Sequence, residues 1–287
     1  MTPIRTATVF THRRPAETGP ALATLIELAS AAGAVLRFDP EETRKHALQP
    51  ADCLELCAAV DPNVDICFAL GGDGTVLSAM RNYAGTGVPV FGINFGEVGF
   101  LATVDRDELQ AGFKRAFDGD FEVLSLPGIE ISGANGRWLA INDISIHRQA
   151  GKRVADLEYA VGTDEVGRVR CDGLVVATAA GSTGYNLANG GPVMAWGVHG
   201  YVVSFISPHS LTARTLVVAP ADRLRVDHRS QEEPVEVTVD GRPVGALEAG
   251  ESVEARFVID QGALAQVPGT TFYQRLRQKF GRMATPS

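Results

Sequence analysis

Apolar positions follow two alternating rhythms along the first 120 residues. Residues 6–10, 35–38, 66–70 and 88–93 are short runs with the length and β-branched or aromatic content of buried strands. Residues 19–32, 51–59 and 106–117 space their apolar positions by three and four, as one face of a helix does. Strand and helix signals in alternation predict a parallel sheet with helices on its faces. From Phe121 to about Val267 the runs shorten, turn signals such as Ala134-Asn135-Gly136 and Asp240-Gly241 intervene, and helical periodicity is nearly lost. It returns at 270–280 through Phe272, Leu276 and Phe280. The pattern predicts an α/β N-terminal domain over 1–120, completed by a C-terminal segment 268–287 that packs back on it, and a β-rich C-terminal domain over 121–267. Residues 11–18, with His12, Arg13, Arg14 and Pro15, read as a mobile loop.

One turn stands out. Gly71-Gly72-Asp73-Gly74-Thr75 follows the strand at 66–70 and opens a helix from Thr75. Glycines there allow positive φ and close approach of a ligand to backbone N–H groups, and a helix N-terminus favours negative charge, so phosphate is the expected guest. Asp73 is an anion where anions should bind, which costs repulsion unless it handles a proton or holds a metal ion. The plainer reading is a strain-relieving glycine turn whose aspartate caps the helix. The turn lacks the Gly-Lys-Ser/Thr of a Walker A loop and the glycine spacing of a dinucleotide-binding Rossmann unit.

Composition narrows the field. With 287 residues, 45% of them hydrophobic, the chain can bury a substantial core and fits two domains better than one. A net charge of −8 argues against a nucleic-acid binder but leaves room for small charged ligands held by local arginines. Cys53, Cys57, Cys67 and Cys171 form neither zinc-type pairs nor a disulfide framework and read as reduced, mostly buried cysteines, with Cys53 and Cys57 sharing a helix face through packing. Arg5 is followed by no apolar signal region and no 18 apolar residues run together, so a soluble cytoplasmic protein without membrane contact is expected.

Two polar groups interrupt apolar strands in the β-rich half. Asn142 and Asp143 sit inside the run 139–146, where buried polar groups need partners: they cap a bulge or bind a polar ligand, and their donors and acceptors suit ribose hydroxyls or a base edge. The strand 174–178 runs into Ala179-Ala180-Gly181-Ser182-Thr183-Gly184-Tyr185, whose small residues admit a ligand close to the backbone. Ser182 lacks the Gly-x-Ser-x-Gly elbow and a fixed histidine, which disfavours a hydrolase.

In unbroken order, Gly-Gly-Asp-Gly-Thr at 71–75, Gly92-Ile93-Asn94 with Gly99-Phe100-Leu101, Ala140-Ile141-Asn142-Asp143, Asp172-Gly173-Leu174, Gly181-Ser182-Thr183-Gly184-Tyr185, Ser207-Pro208-His209-Ser210-Leu211 and Val239-Asp240-Gly241 resemble the NAD kinase family, which makes NADP from NAD with ATP or polyphosphate. The resemblance implies an α/β domain like that of phosphofructokinases and lipid kinases, joined to a β-rich domain, with NAD bound between them. It implies that Asp73 accepts the proton of the 2′-hydroxyl of the adenosine ribose. Gly72 and Gly74 would approach the ligand through their backbone, Phe100 would lie against adenine, and Asn142 and Asp143 would hold ribose and adenine atoms. Asp172 would meet the nicotinamide end, often of a second subunit, and Thr183, Gly184, Tyr185, Asn186, Leu187 and Ala188 would line the nucleoside pocket. Arg153, Arg170 and Arg242 fall where the family has NAD-contacting side chains. No protein-held metal is implied; Mg²⁺ or another divalent cation would arrive with the donor, and a homo-dimer or tetramer is usual. Ala188 stands in place of a common serine and Arg242 in place of a frequent glutamine. The rival readings are a lipid or sphingoid kinase, which shares the glycine turn, a sugar-phosphate kinase, and a non-catalytic NAD(P)-binding sensor.

Overall fold

Six parallel strands carry the glycine turn. They are β1 (Thr6–Thr11), β2 (Val35–Arg37), β3 (Leu54–Glu55), β4 (Ile66–Gly71), β5 (Val90–Asn94) and β6 (Val104–Asp105), in the spatial order β3-β2-β1-β4-β5-β6. The computed structural model describes residues 3–96, 99–133, 136–230 and 233–281. It divides into two units, residues 1–125 with 262–287, and residues 126–261. In the first unit the sheet is flanked by helices α1 (Pro15–Ala32), α2 (Pro40–Lys45), α3 (Asp73–Asn82) and α4 (Leu109–Phe117). The chain leaves β1 toward one edge and β4 toward the other, so the order reverses between them. In open sheets of this kind ligands bind at the carboxyl ends of the strands beside such a reversal. Gly71, the last residue of β4, lies there.

Burial of aromatic side chains holds this unit together. Phe68 of β4 has Phe91, Phe113 and Phe117 around it at ring separations of 5.5–6.0 Å. Leu22, Leu25 and Ala29 of α1 share the same core with Phe113 and Ala116 of α4. Filling such a position with a smaller side chain typically costs about 3–5 kcal/mol.

Three local expectations need correction. Residues 51–59 are not a helix: β3 adds to the sheet edge there, pairing Leu54 with Leu36 and Glu55 with Arg37, and Cys57 takes a left-handed φ of 54°. Tertiary pairing overrides the four-residue spacing of Cys53 and Cys57, and Cys57 ends up exposed and Cys53 half-buried rather than packed on one face. The helix of this region is α2, whose first turn is capped by the Asp39 side chain accepting from the Glu42 amide at 2.7 Å. Nor are residues 15–18 a loop, because proline suits the first position of a helix and α1 begins at Pro15.

The second unit is built from two antiparallel sheets. One runs β14-β13-β12-β9-β16-β17 through β9 (Asp143–Arg148), β12 (Gly173–Ala177), β13 (Tyr201–Ile206), β14 (Leu216–Val218), β16 (Val235–Val239) and β17 (Arg242–Leu247). The other contains β10 (Ala155–Val161), β11 (Asp164–Cys171), β15 (Arg223–His228) and the first part of β18 (Ser252–Gln266), with β7 (Glu122–Gly133) and β8 (Gly136–Ala140). Their facing side chains, among them Ile144, Ile146, Leu174 and Val176 from one sheet and Leu157, Tyr159, Val169 and Val226 from the other, make one continuous core. Asp240 and Gly241, both at positive φ, close the β16–β17 hairpin as their pairing predicts. The turn predicted at Ala134-Asn135-Gly136 falls partly outside the described residues, as does 282–287 of the C-terminal segment. A short helix α5 (Tyr185–Ala188) follows β12, and α6 (Phe272–Phe280), in the first unit, ends the described chain with a capping box between Thr271 and Gln274. Among the described residues no helix is long and apolar enough to cross a membrane.

Candidate active site

At the end of β4 the backbone turns through Gly71 and Gly72 directly into α3, with Gly72 as N-cap and Asp73 as the first helical residue. None of Gly71, Gly72 or Gly74 has positive φ, so the glycines here serve space rather than unusual backbone angles. A Cβ on Gly71 would fall 2.2 Å from Thr75 Oγ1, whereas around Gly72 and Gly74 there is nothing within 4 Å. Glycine is therefore required by packing only at Gly71. At the other two positions bare backbone faces open space at a helix N-terminus, the arrangement that admits a phosphate.

Asp73 does not cap the helix. Its Oδ2 accepts the Phe100 amide at 2.9 Å and its Oδ1 the Leu101 amide at 3.0 Å. Two backbone donors fix the carboxylate plane while leaving further lone pairs on each oxygen. Gly99 is part of the same arrangement, because a Cβ there would lie 2.2 Å from Asp73 Oδ1. The segment after Gly99 is fastened in turn. Gly92 and Thr103 exchange two hydrogen bonds, Thr103 Oγ1 donates to Ala265 O at 2.7 Å, and Asn94 Nδ2 donates to Asp105 Oδ1 at 3.0 Å. Phe100, expected against adenine, is only 3% exposed and packs its ring on Phe272 and Phe280, while its amide is the group that meets Asp73.

In the second unit the run 139–146 is broken between β8 and β9, and Asp240 explains the break. Its carboxylate accepts the amides of Ile141, Asn142 and Asp143 at 2.8–3.2 Å. The opposite side of this turn is held by Thr178, whose amide donates to Asn142 O and whose hydroxyl donates to Ile141 O. Gly181 packs so tightly there that a Cβ would come within 2.0 Å of Asn142 O. Two features are left over. Asn142 Oδ1 is buried without a partner, and burial, with the Asp240 charge beside it, pushes the Asp143 carboxyl up to about 7. An orphaned acceptor next to a carboxyl that holds a proton near neutrality is a donor–acceptor pair suited to a polar ligand.

The residues after β12 divide by role. Ser182 is fully buried and spends its hydroxyl on Ala179 O and the Met194 amide, which suits a structural hinge and not a nucleophile. Asn186 is fully buried and donates to Ser182 O and Pro192 O. Thr183 Oγ1 donates to Ala180 O, Leu187 is half-buried, and Gly184, Tyr185 and Ala188 are exposed. Tyr185 lines a cleft of about 530 Å³ together with His147, Arg148, Asp172 and Glu236. In it the Arg148 guanidinium pairs with Asp172 and holds that carboxyl below its usual range. Arg153, Arg170 and Arg242 are exposed and do not line this cleft.

The model for the ATP-NAD kinase N-terminal domain matches residues 27–121, and that for the ATP-NAD kinase C-terminal domain matches residues 141–257. The chain belongs to the NAD kinase family. This NAD kinase family member is 36% identical over 227 residues to the NAD kinase of Syntrophotalea carbinolica, covering 76% of this chain and 78% of the relative. It is also 36% identical over 229 residues to the NAD kinase of Gemmatimonas aurantiaca, covering 77% and 78%. Its fold matches a yeast NADH kinase complexed with NADH, with a TM-score of 0.86 at 22% identity over 100% of this chain and 90% of the other. A second match is an NAD kinase from Archaeoglobus fulgidus in complex with ATP, with a TM-score of 0.73 at 23% identity over 96% and 99%.

Residues that sequence reasoning passed over now have places in this NAD kinase family member. Arg148 and Glu236 pair with Asp172 and His147 across strand register, which local pattern does not reveal. Asp240 is visible in sequence as a hairpin residue and as part of the Val239-Asp240-Gly241 motif, and neither reveals that it organises the turn of Asn142.

Proposed function

We propose that this chain transfers the terminal phosphate of ATP, or of inorganic polyphosphate, to the 2′-hydroxyl of the adenosine ribose of NAD to give NADP. The observation that carries the reading is the Asp73 carboxylate, clamped by two amides at the mouth of a helix whose Gly72 and Gly74 face open space. A ribose hydroxyl is a weak nucleophile, and phosphoryl transfer depends on positioning and on electrostatics. In the step Asp73 takes the hydroxyl proton as the ribose oxygen bonds to the terminal phosphorus. The bond from that phosphorus to the bridging oxygen breaks, and the shortened donor leaves with the electron pair. The backbone at Gly72 and Gly74 receives the donor phosphates. Asn142, with its orphaned Oδ1, and Asp143, as a protonated carboxyl, hold the nucleoside; Asp172, positioned by Arg148, and Tyr185 hold the remainder of NAD.

A divalent cation such as Mg²⁺ fits this donor set only as a companion of the donor. Among the described residues no three His, Cys, Asp or Glu side chains gather to cage an ion, and the free lone pairs of Asp73 are what the turn offers. Bound with the donor, the ion would offset charge developing on the phosphates. Four unpaired thiols suit a reducing compartment and support a cytoplasmic enzyme, and a homo-oligomer is the assembly the reading carries with it.

The test is an incubation of the purified protein with Mg²⁺ and NAD, once with ATP and once with polyphosphate, followed by an NADP-specific dehydrogenase. NADP is expected. NAD binding with no NADP from either donor would mean a sensor, and phosphorylation of sphingosine or diacylglycerol instead would mean a lipid kinase.

A further inference from the structure

Helix α6 lays Phe272, Arg275 and Lys279, at helical spacing, on the segment that clamps Asp73. The Phe100 ring lies 5.8 Å from Phe272 and 5.9 Å from Phe280, with Lys279 Nζ 5.9 Å from its centre. Arg275 is 6% exposed, and its Nη2 donates to Thr103 O at 2.8 Å. Its Nε is buried with no partner. Burial works against the charge of this guanidinium, while Asp105, Asp73 and Glu108 favour it. Keeping a charged group buried is costly unless surrounding charges and hydrogen bonds compensate. An apolar residue would serve a helix that merely covered Phe100, so the arginine needs another explanation.

We infer that Arg275 is a positioning residue for Asp73: through the Thr103 carbonyl it fixes the segment whose Phe100 and Leu101 amides hold both carboxylate oxygens. The inference rests on the proposed role of Asp73. Thr103 stands two residues past Leu101, and its amide and hydroxyl are already committed to Gly92 and Ala265, so its carbonyl is the point at which α6 grips the segment. Loss of that grip lets the two amides drift and the carboxylate rotate. A misaimed base lowers the rate of the chemical step and leaves NAD affinity alone, because Arg275 acts on the segment that aims Asp73, through the Thr103 carbonyl.

The experiment uses the full chain in four forms: wild type, Arg275→Met, Asp73→Asn and the double variant. Arg275→Met should lower kcat for NADP formation about 10-fold or more, with KM for NAD changed less than about twofold. Added to Asp73→Asn, it should cost no more than about twofold, since both act through one carboxylate. Hydrogen exchange at the Phe100 and Leu101 amides should quicken about 10-fold or more in Arg275→Met. Independent losses in the double variant, a rise in KM with kcat intact, or unchanged exchange at these two amides each overturn the inference. If Arg275→Met fails to fold, Arg275→Lys is read the same way, since it keeps the charge and surrenders the planar donor. If the wild type forms no NADP, the proposed function falls, and the exchange measurement still decides whether Arg275 holds the clamp.

Discussion

Asp143→Asn should stabilise the second unit in mild alkali and confer no such advantage in mild acid. The Asp143 carboxyl rises from its ordinary 3.8 to about 7, first through burial and then through the neighbouring Asp240 charge. Three backbone amides donate to the Asp240 carboxylate, whose charge is the second cause of the rise at Asp143. Between these two values the folded protein keeps a proton that the unfolded chain has released. The stabilisation is therefore fully present below about pH 4 and is lost as the pH rises through about 7. About three pH units at ~1.4 kcal/mol each give a linkage on the order of 4 kcal/mol, of which roughly 2.5 kcal/mol disappears between pH 5 and pH 8. The asparagine carries no proton to lose. Trp138 and Trp196 are the chain's two tryptophans and both belong to the second unit, so urea unfolding followed by tryptophan fluorescence reports that unit. The stability gap should move by roughly 2–3 kcal/mol in favour of the variant from pH 5 to pH 8. Parallel pH profiles for the two proteins would refute the argument.

Asp73→Asn should cut NADP formation by about 10²–10⁴-fold while NAD still binds, to be checked by steady-state kinetics beside calorimetric titration. Gly72→Ala meets no atom within 4 Å, so its melting temperature should match the wild type. The added methyl stands where a phosphate would approach, and kcat/KM for ATP should fall about 10-fold or more. Gly181→Ala places a methyl 2.0 Å from Asn142 O and 2.4 Å from its carbonyl carbon. It should destabilise the second unit by about 2–4 kcal/mol in fluorescence-detected unfolding and weaken NAD binding at the Asn142 turn.

The strand, turn and helix around Asp73 could be read directly, because each is specified by residues within ten positions of the next. The parallel pairing of β1, β4 and β5 followed from strand and helix alternation, whereas their spatial order did not. What escaped was set by distant partners. Residues 51–59 have helical spacing, yet the free edge of β2 recruits Leu54 and Glu55 into a strand. Helix α2 is too short and too charged to show an apolar stripe, and its marks are the Asp39 cap, Pro40 at the first position and the charges of its two end turns. The family motifs in order pointed to residues, but not to the bonds among them. Asp240 reaches back about a hundred positions to the amides at 141–143, and Arg275 reaches Thr103 across 172 positions. No local pattern carries that information.

The first unit is assembled from two stretches of chain separated by the whole of the second. On the ribosome, residues 1–125 emerge with the glycine turn but without Ala265, which accepts from Thr103, and without α6. A nascent polypeptide thus carries Asp73 for most of translation before the last bonds that fasten the 99–103 segment can form. A stop codon just ahead of Phe272 would leave all the motifs in place and yield a protein without the Arg275 bond to the Thr103 carbonyl and without the rings of Phe272 and Phe280 on Phe100.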